Sequence, residues 1–341
     1  MWMLVDEKHQ GVTMVFLITV IAHSAYCCGV PAIPPVKEPQ KTASNRIVNG
    51  WEATPHSLPW MVFMLVAKGS LFVGCGGFLI ENGMENQTDA VLTAAHCLHY
   101  KNMYHPPGKI HLLVGAHNVH DFKDCIKQRV RNYATSFYSA QNEDNDIAML
   151  RLWKPVMYND HVRPLCLPKA NIASLDTSTC FAAGWGETQH KTVSSTLKMT
   201  RLLVLPDSLC SPSSRLNRVF CVVQYYKGYN TCNGDSGSPL FCEIGGRYVA
   251  VGILSLGALN CTENVASSYV RLDQYSGWIE SSLRELRRAP DQMSHVSEES
   301  TLYLPKQTKM PGSFFLFGGQ HTLQGSEIIA LMNGYRKRPT A

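Results

Sequence analysis

Nowhere in these 341 residues is there a dense block of lysine and arginine or an aromatic stripe threaded with basic side chains, and the formal charge is only +5. That excludes a nucleic-acid surface, which needs a concentrated basic patch. The chain has 12 cysteines yet no Cys-x-x-Cys pair, so a zinc ribbon is excluded too. "HNVH" at 117–120 has no glutamate between its histidines, which removes a metal-protease helix and leaves a surface loop. The apolar run from Val12 to Ile21 falls short of the ~20 residues of a membrane span. No internal repeat is visible. The expectation is no metal, no cofactor, no nucleic-acid partner and no membrane span.

What is present is an apolar fraction of 45%, enough for a real core. Val12–Ile21, followed by small residues around Ala22 to Ala25, fits a signal peptide over residues 1–25 and hence a secreted, extracellular protein. The even, dispersed cysteines agree, reading as disulfides formed in an oxidising compartment. Residues 29–46 carry four prolines without apolar periodicity, an extended linker within a propeptide over 26–46. From Ile47 to about Tyr275 come short runs such as "WMVFMLVA", "KIHLLVG", "DIAMLRLW", "RLLVL" and "YVAVGIL", separated by Gly, Pro, Asn and Asp. These predict antiparallel strands in a sandwich or barrel. "YSGWIESSLRELRR", 275–288, predicts one helix, with Trp278, Ile279, Leu283 and Leu286 near one face and arginines in its last turn. Residues 289–341 are polar with isolated apolar patches ("SFFLF", "SEIIALM") and read as a disordered or loosely attached tail.

The chemistry centres on "NTCNGDSGSPL", residues 230–240, where Ser236 is boxed between glycines. A hydroxyl becomes a nucleophile only when an imidazole takes its proton and a carboxylate holds that imidazole in the right tautomer. "LTAAHCL" offers His96, beside a cysteine that can clamp its loop. "NEDNDIAMLRL" offers Asp146, at the start of an apolar strand.

Taken in order, "TAAHC", "NDIAMLRL", "GWG", "CNGDSGSP" and "ILSLG" resemble the chymotrypsin-like (trypsin-fold) serine proteases over about residues 47–288. An α/β-hydrolase is disfavoured, since its histidine follows the nucleophile and the later histidines here, His295 and His321, lie in the tail. The resemblance implies an all-β fold of two antiparallel six-stranded barrels with a C-terminal helix. It implies a secreted serine endopeptidase in which Ser236 attacks, His96 shuttles the proton, Asp146 orients His96, and the N–H groups of Gly234 and Ser236 form the oxyanion hole. "NRIVNG" implies a zymogen: cleavage after Arg46 frees the α-amino group of Ile47, which pairs with Asp235. Its partners would be protein or peptide substrates, an activating protease that cuts after Arg, and macromolecular protease inhibitors.

The same resemblance implies disulfides Cys75–Cys97, Cys180–Cys242, Cys210–Cys221 and Cys232–Cys261, with Cys166 bonded to Cys27 or Cys28. Cys125 and the remaining cysteine of that pair then bond to each other or to another molecule. Relatives that cut after Lys or Arg carry an aspartate six residues before the nucleophile, where this chain has Asn230. An amide cannot balance a buried cation. With Gly257 leaving one pocket wall open, Ser267 narrowing the other, and Ser255 and Leu256 on the substrate-pairing strand, the expected P1 residue is neutral: aromatic, Leu or Met. Glu143 borders the P2 position. Asn86 and Asn260 head glycosylation sequons. Ala116 stands where calcium-binding relatives have a glutamate, so no structural calcium is expected. The departures at Ser238 and Leu256 support an alternative reading, a protease-like binding protein with little turnover.

Overall fold

The computed structural model describes residues 28–39 and 50–288, apart from 69–70, 101–102, 122, 142, 170–171, 173–178, 189–191, 207–209, 211–217, 227–229 and 258–265. The expected signal peptide, Cys27, Arg46, Ile47, Asn260, Cys261 and the tail therefore lie outside the described residues.

In chain order the strands are β1 (Trp51–Glu52), β2 (Met61–Lys68), β3 (Leu71–Leu79), β4 (Gln87–Thr93), β5 (His99–Tyr100), β6 (Met103–Tyr104), β7 (Ile110–Val114), β8 (Ile126–Thr135) and β9 (Ala148–Met157). They continue with β10 (Cys180–Gly184), β11 (Lys198–Val204), β12 (Val219–Gln224), β13 (Pro239–Ile244), β14 (Arg247–Leu256) and β15 (Ser267–Arg271). One closed antiparallel barrel runs β2-β3-β4-β9-β8-β7. The second runs β11-β10-β13-β14-β15-β12 and closes through β11–β12, with β1 added outside β11. The expected fold is thus the observed one.

The apolar runs become strands because closure pairs every backbone N–H and C=O while side chains fill the barrel interior. Several runs are apolar at nearly every position, as in β14, because the second face is covered as well. That cover includes the other barrel: Trp60 packs on Phe241 at 5.6 Å between ring centroids and Phe63 on Trp185 at 5.5 Å, so aromatic side chains weld the two units.

Helix α1 spans Ser276–Arg288 and buries Ile279, Ser282 and Leu286, with Trp278 and Leu283 half-buried against the same core. Its C-terminal end is fastened to the first barrel. Asn132 Nδ2 and Arg151 Nη1 both donate to the carbonyl of Leu286, at 3.1 and 3.0 Å. That carbonyl is in the last turn, where a helix cannot satisfy it internally.

Residues 28–39 form neither helix nor strand, with a turn at 28–29 and bends at 32–33 and 38, and they are docked on the barrels. A disulfide joins Cys28 to Cys166, Tyr248 N–H donates to the Gly29 carbonyl, and Trp51 Nε1 donates to that of Val36. Lys37 pairs with Glu243. Further disulfides join Cys75 to Cys97, Cys180 to Cys242 and Cys210 to Cys221; Cys232 is disulfide-bonded as well. Cys125 is a half-buried free thiol whose pKa burial pushes up.

Candidate active site

The site lies where the barrels meet. Strand β4 ends at Thr93, and a single 3-10 turn, Ala95–Leu98, carries His96. The Cys75–Cys97 disulfide ties that turn to β3. Asp146 stands two residues before β9 and is 1% exposed. The loop leading to it is conformationally costly, with Phe137, Glu143 and Asn145 all left-handed at φ of 50 to 56°. It is held by Asn145 Oδ1, which accepts from Tyr275 Oη at 2.9 Å and Arg218 Nη1 at 2.6 Å.

The structure brings His96 and Asp146 together through two bonds: Nδ1 to Oδ2 at 2.7 Å, and backbone N–H to Oδ1 at 2.8 Å. An ionised carboxylate can only accept, so Nδ1 carries the proton and Nε2 keeps its lone pair. Ser255 Oγ adds a third bond to Oδ2 at 2.6 Å. Ser255, expected to contact substrate, thus commits its hydroxyl to Asp146. Burial alone would raise the pKa of Asp146, but the charge of His96 and these bonds outweigh it and hold the carboxyl below its ordinary range.

Ser236 is fastened to the same place from the second barrel. Its carbonyl accepts from Gly76 N–H of β3 at 2.7 Å. Cys97 Sγ lies 3.7 Å from that carbonyl oxygen and 3.8 Å from His96 Nε2, so one sulfur atom touches both residues. The turn needs its glycines. Gly234 has φ of 92° and Gly237 of 83°, and a side chain on Gly237 would run into Thr93 and the backbone of Gly76. The N–H groups of Gly234 and Ser236 take part in no hydrogen bond among the described residues.

Asp235 points the other way, into the second barrel, where its carboxylate accepts from Gly186 N–H at 2.8 Å and Cys232 N–H at 2.9 Å. The "GWG" motif has a physical cause here, since a side chain at Gly184 or Gly186 would occupy the space of that carboxylate. Burial pushes the Asp235 pKa up to about 6 against the pull of those two bonds. A small cavity lined by Gly184, Gly186, Met199, Thr231 and Asp235 opens beside it.

Asn230 is 1% exposed, and its Oδ1 accepts from Thr231 N–H at 2.9 Å and Ser267 Oγ at 3.4 Å. Thr231 Oγ1 and Ser267 Oγ lie 3.3 Å apart, and Tyr269, fully buried, has its hydroxyl near Thr231 and Asp235. Thr231 and Tyr269 had no separate signal in the sequence. Leu256 is half-buried beyond a bulge in the β14–β15 pairing, and Gly257 is exposed, with only the Thr231 carbonyl near where a side chain would stand. Glu143 is half-buried, and Asn86 is exposed in the turn before β4. Of the residues missed, Gly76 and Asn145 act through backbone and tertiary bonds that no local motif announces.

The Trypsin family model matches residues 47–279. Among solved structures, one described as "Structure of GrC" is 29% identical, covers 69% of this chain and 98% of its own, and superposes with a TM-score of 0.59. Two closed barrels, the placement of His96, Asp146 and Ser236 at their junction, and a match over most of the chain give one conclusion: this chain belongs to the Trypsin family of chymotrypsin-like serine proteases.

Proposed function

We propose that the protein is a secreted serine endopeptidase made as a zymogen. Ser236 Oγ attacks the scissile carbonyl carbon while His96 Nε2 takes the hydroxyl proton. The Gly234 and Ser236 N–H groups receive the negative charge that develops on the carbonyl oxygen. The C–N bond then breaks as Nε2 returns the proton to the leaving amine, and a water molecule repeats the sequence on the acyl-enzyme to release Ser236. Asp146 stabilises the imidazolium and never takes the proton, which fits a carboxyl whose pKa is held down. The observation that carries the reading is the double grip of Asp146 on His96, through both the ring and the backbone, beside the loop of Ser236.

Cleavage after Arg46 would free the Ile47 amine to enter the cavity beside Asp235. Among the described residues no cation neutralises this buried carboxylate, which supports the assignment. The Cys28–Cys166 bond would keep the released segment attached. The neutral ring of Asn230, Thr231 and Ser267 supports a neutral P1 side chain, because a buried cation there would find no counter-charge among these three residues.

A fluorophosphonate probe applied to Arg46-cleaved protein tests the chemistry. Covalent labelling of Ser236 that disappears in Ser236→Ala, with labelling of uncut protein much weaker, is expected. Silence of the cleaved protein would leave the binding-protein alternative in its place.

A further inference from the structure

We infer that the outer face of the first barrel over β7, β8 and β9 is a binding surface for a linear sulfated polysaccharide, held by cations that the sheet collects from three strands. The inference stands apart from the endopeptidase reading, because no residue of the candidate active site takes part in it.

The 3-10 turn Pro107–Lys109, β7, β8 and β9 together carry Lys109, Lys127, Arg129, Arg131, Arg151 and Lys154, and not one aspartate or glutamate. Six cations without a carboxylate exceed the surplus of the whole chain, which is +5. Uncharged residues separate them along the chain, so no dense block is visible there; pairing of the strands gathers them. β8 lies between β7 and β9 in the barrel. Val130 and Leu152 pair and are buried, so their chain neighbours Arg129, Arg131 and Trp153 face outward. His111 stands opposite Arg129 in the β7–β8 register. Alternate residues of a strand are about 6.8 Å apart and neighbouring strands about 4.8 Å, so Lys127, Arg129 and Arg131 form a row of about 13 Å beside a second row of His111 and Lys109.

Electrostatics within the face agree. Burial lowers the His111 pKa, and the charges of Arg129 and Lys109 lower it further, the mark of a positive local potential. Carboxylates stand at the margins: Asp89 pairs with Arg151, and Asp121 and Asp124 act on Cys125 beside Lys127. The Arg131 guanidinium lies over the Trp153 ring at 5.4 Å, which reduces the freedom it has to lose on binding. Arg129 and Arg131 carry planar forks of the kind that pair with tetrahedral oxyanions. A linear sulfated chain meets such a face through repeated anions and the release of counterions, without an apolar anchor. A protein partner needs a buried apolar centre. Among the described residues of these three strands, the large apolar side chains in solvent are Trp153, which Arg131 overlies, and Met157 at the far end of β9. A nucleic-acid strand stacks its bases on rows of aromatic rings, and here Trp153 is the one exposed ring.

The test uses the full-length, uncut protein and a fluorescent heparin octasaccharide. Anisotropy titrations between about 50 and 200 mM NaCl should give a Kd that weakens with salt. Lys127→Ser/Arg129→Ser/Arg131→Ser should weaken binding by at least about tenfold and lower the log–log salt slope by about 3, one for each cation removed, while melting temperature holds. If that variant unfolds, the parent alone decides. On the parent the octasaccharide should shield Lys109, Lys127 and Lys154 from acetylation, while the exposed Lys169 reacts as before. Equal shielding of all four lysines, shielding of none, or a folded variant with unchanged affinity and slope would overturn the inference. So would equal or tighter binding of the desulfated octasaccharide, which would remove sulfate from the recognition. Equal or tighter binding of charge-matched oligoglutamate or oligothymidylate would likewise overturn it, assigning the face to an acidic polypeptide or to nucleic acid.

Discussion

Asp146 uses two oxygens for three hydrogen bonds, and each bond limits what can replace it. In Asp146→Asn the amide presents N–H to one side of the site, so the ring of His96 must accept at Nδ1 and carry its proton on Nε2. That tautomer cannot act as a base. The variant should fold with a melting temperature near the parent's and lose about 10⁴ in kcat at neutral pH. A loss below tenfold in a peptidase assay would contradict the assigned roles. Ser238 presents the opposite case, a buried hydroxyl with no hydrogen-bond partner among the described residues, two positions after Ser236. A buried orphan of this kind costs roughly 1–3 kcal/mol, so Ser238→Ala should raise stability by about 1 kcal/mol in urea titration. The hydroxyl also fills the space where a side chain on Gly76 would stand. Gly76→Ala should therefore be far more destabilising in the parent than in Ser238→Gly, with a coupling above ~1 kcal/mol.

At the scale of elements, α1 is held by a buried polar relay. Arg151 Nε pairs with Asp89 Oδ2 at 2.9 Å, and the same guanidinium reaches the Leu286 carbonyl. Arg151→Met would leave Asp89, which is 3% exposed, as a buried charge without its cation. The expected loss is about 3 kcal/mol in thermal or urea unfolding, with ester hydrolysis at 25 °C little changed. A neutral effect would mean that the relay contributes nothing to docking the helix. This relay was illegible in the sequence, whereas the elements it joins were legible. "YVAVGIL" and "WMVFMLVA" are apolar runs bounded by turn residues, and the face of α1 repeats at helical spacing; both are local signals that burial then enforces. The β5–β6 hairpin has only two residues per strand and no apolar alternation, so nothing local marks it. Within the site, His96, Asp146 and Ser236 stand in readable motifs. The hydroxyl of Ser255 on Asp146 and the Gly76 bond to Ser236 exist only because two barrels close against each other.

For the whole molecule, the decisive quantity is the charge state of Asp235, buried in the second barrel on the loop that also carries Ser236. An acid raised to about 6 when folded, against an ordinary 3.8, binds more protons in the folded than in the unfolded chain between those values. Its contribution to stability is therefore complete below the lower value and fades as pH rises through about 6. His56 and His111, both lowered by burial, push the other way over the same range, so the comparison must be with Asp235→Asn rather than with a flat line. In uncut protein, urea titrations from pH 4 to 7 should show the parent losing on the order of 3 kcal/mol relative to Asp235→Asn. After cleavage at Arg46, an ammonium paired with the carboxylate reverses the relation. The parent then keeps its stability through neutrality and loses it only as pH rises past the raised pKa of the amine, above about 8, while Asp235→Asn gains nothing from the cut. Parallel pH curves for parent and variant in both forms would mean that this carboxylate does not couple cleavage of the chain to the order of its catalytic loop.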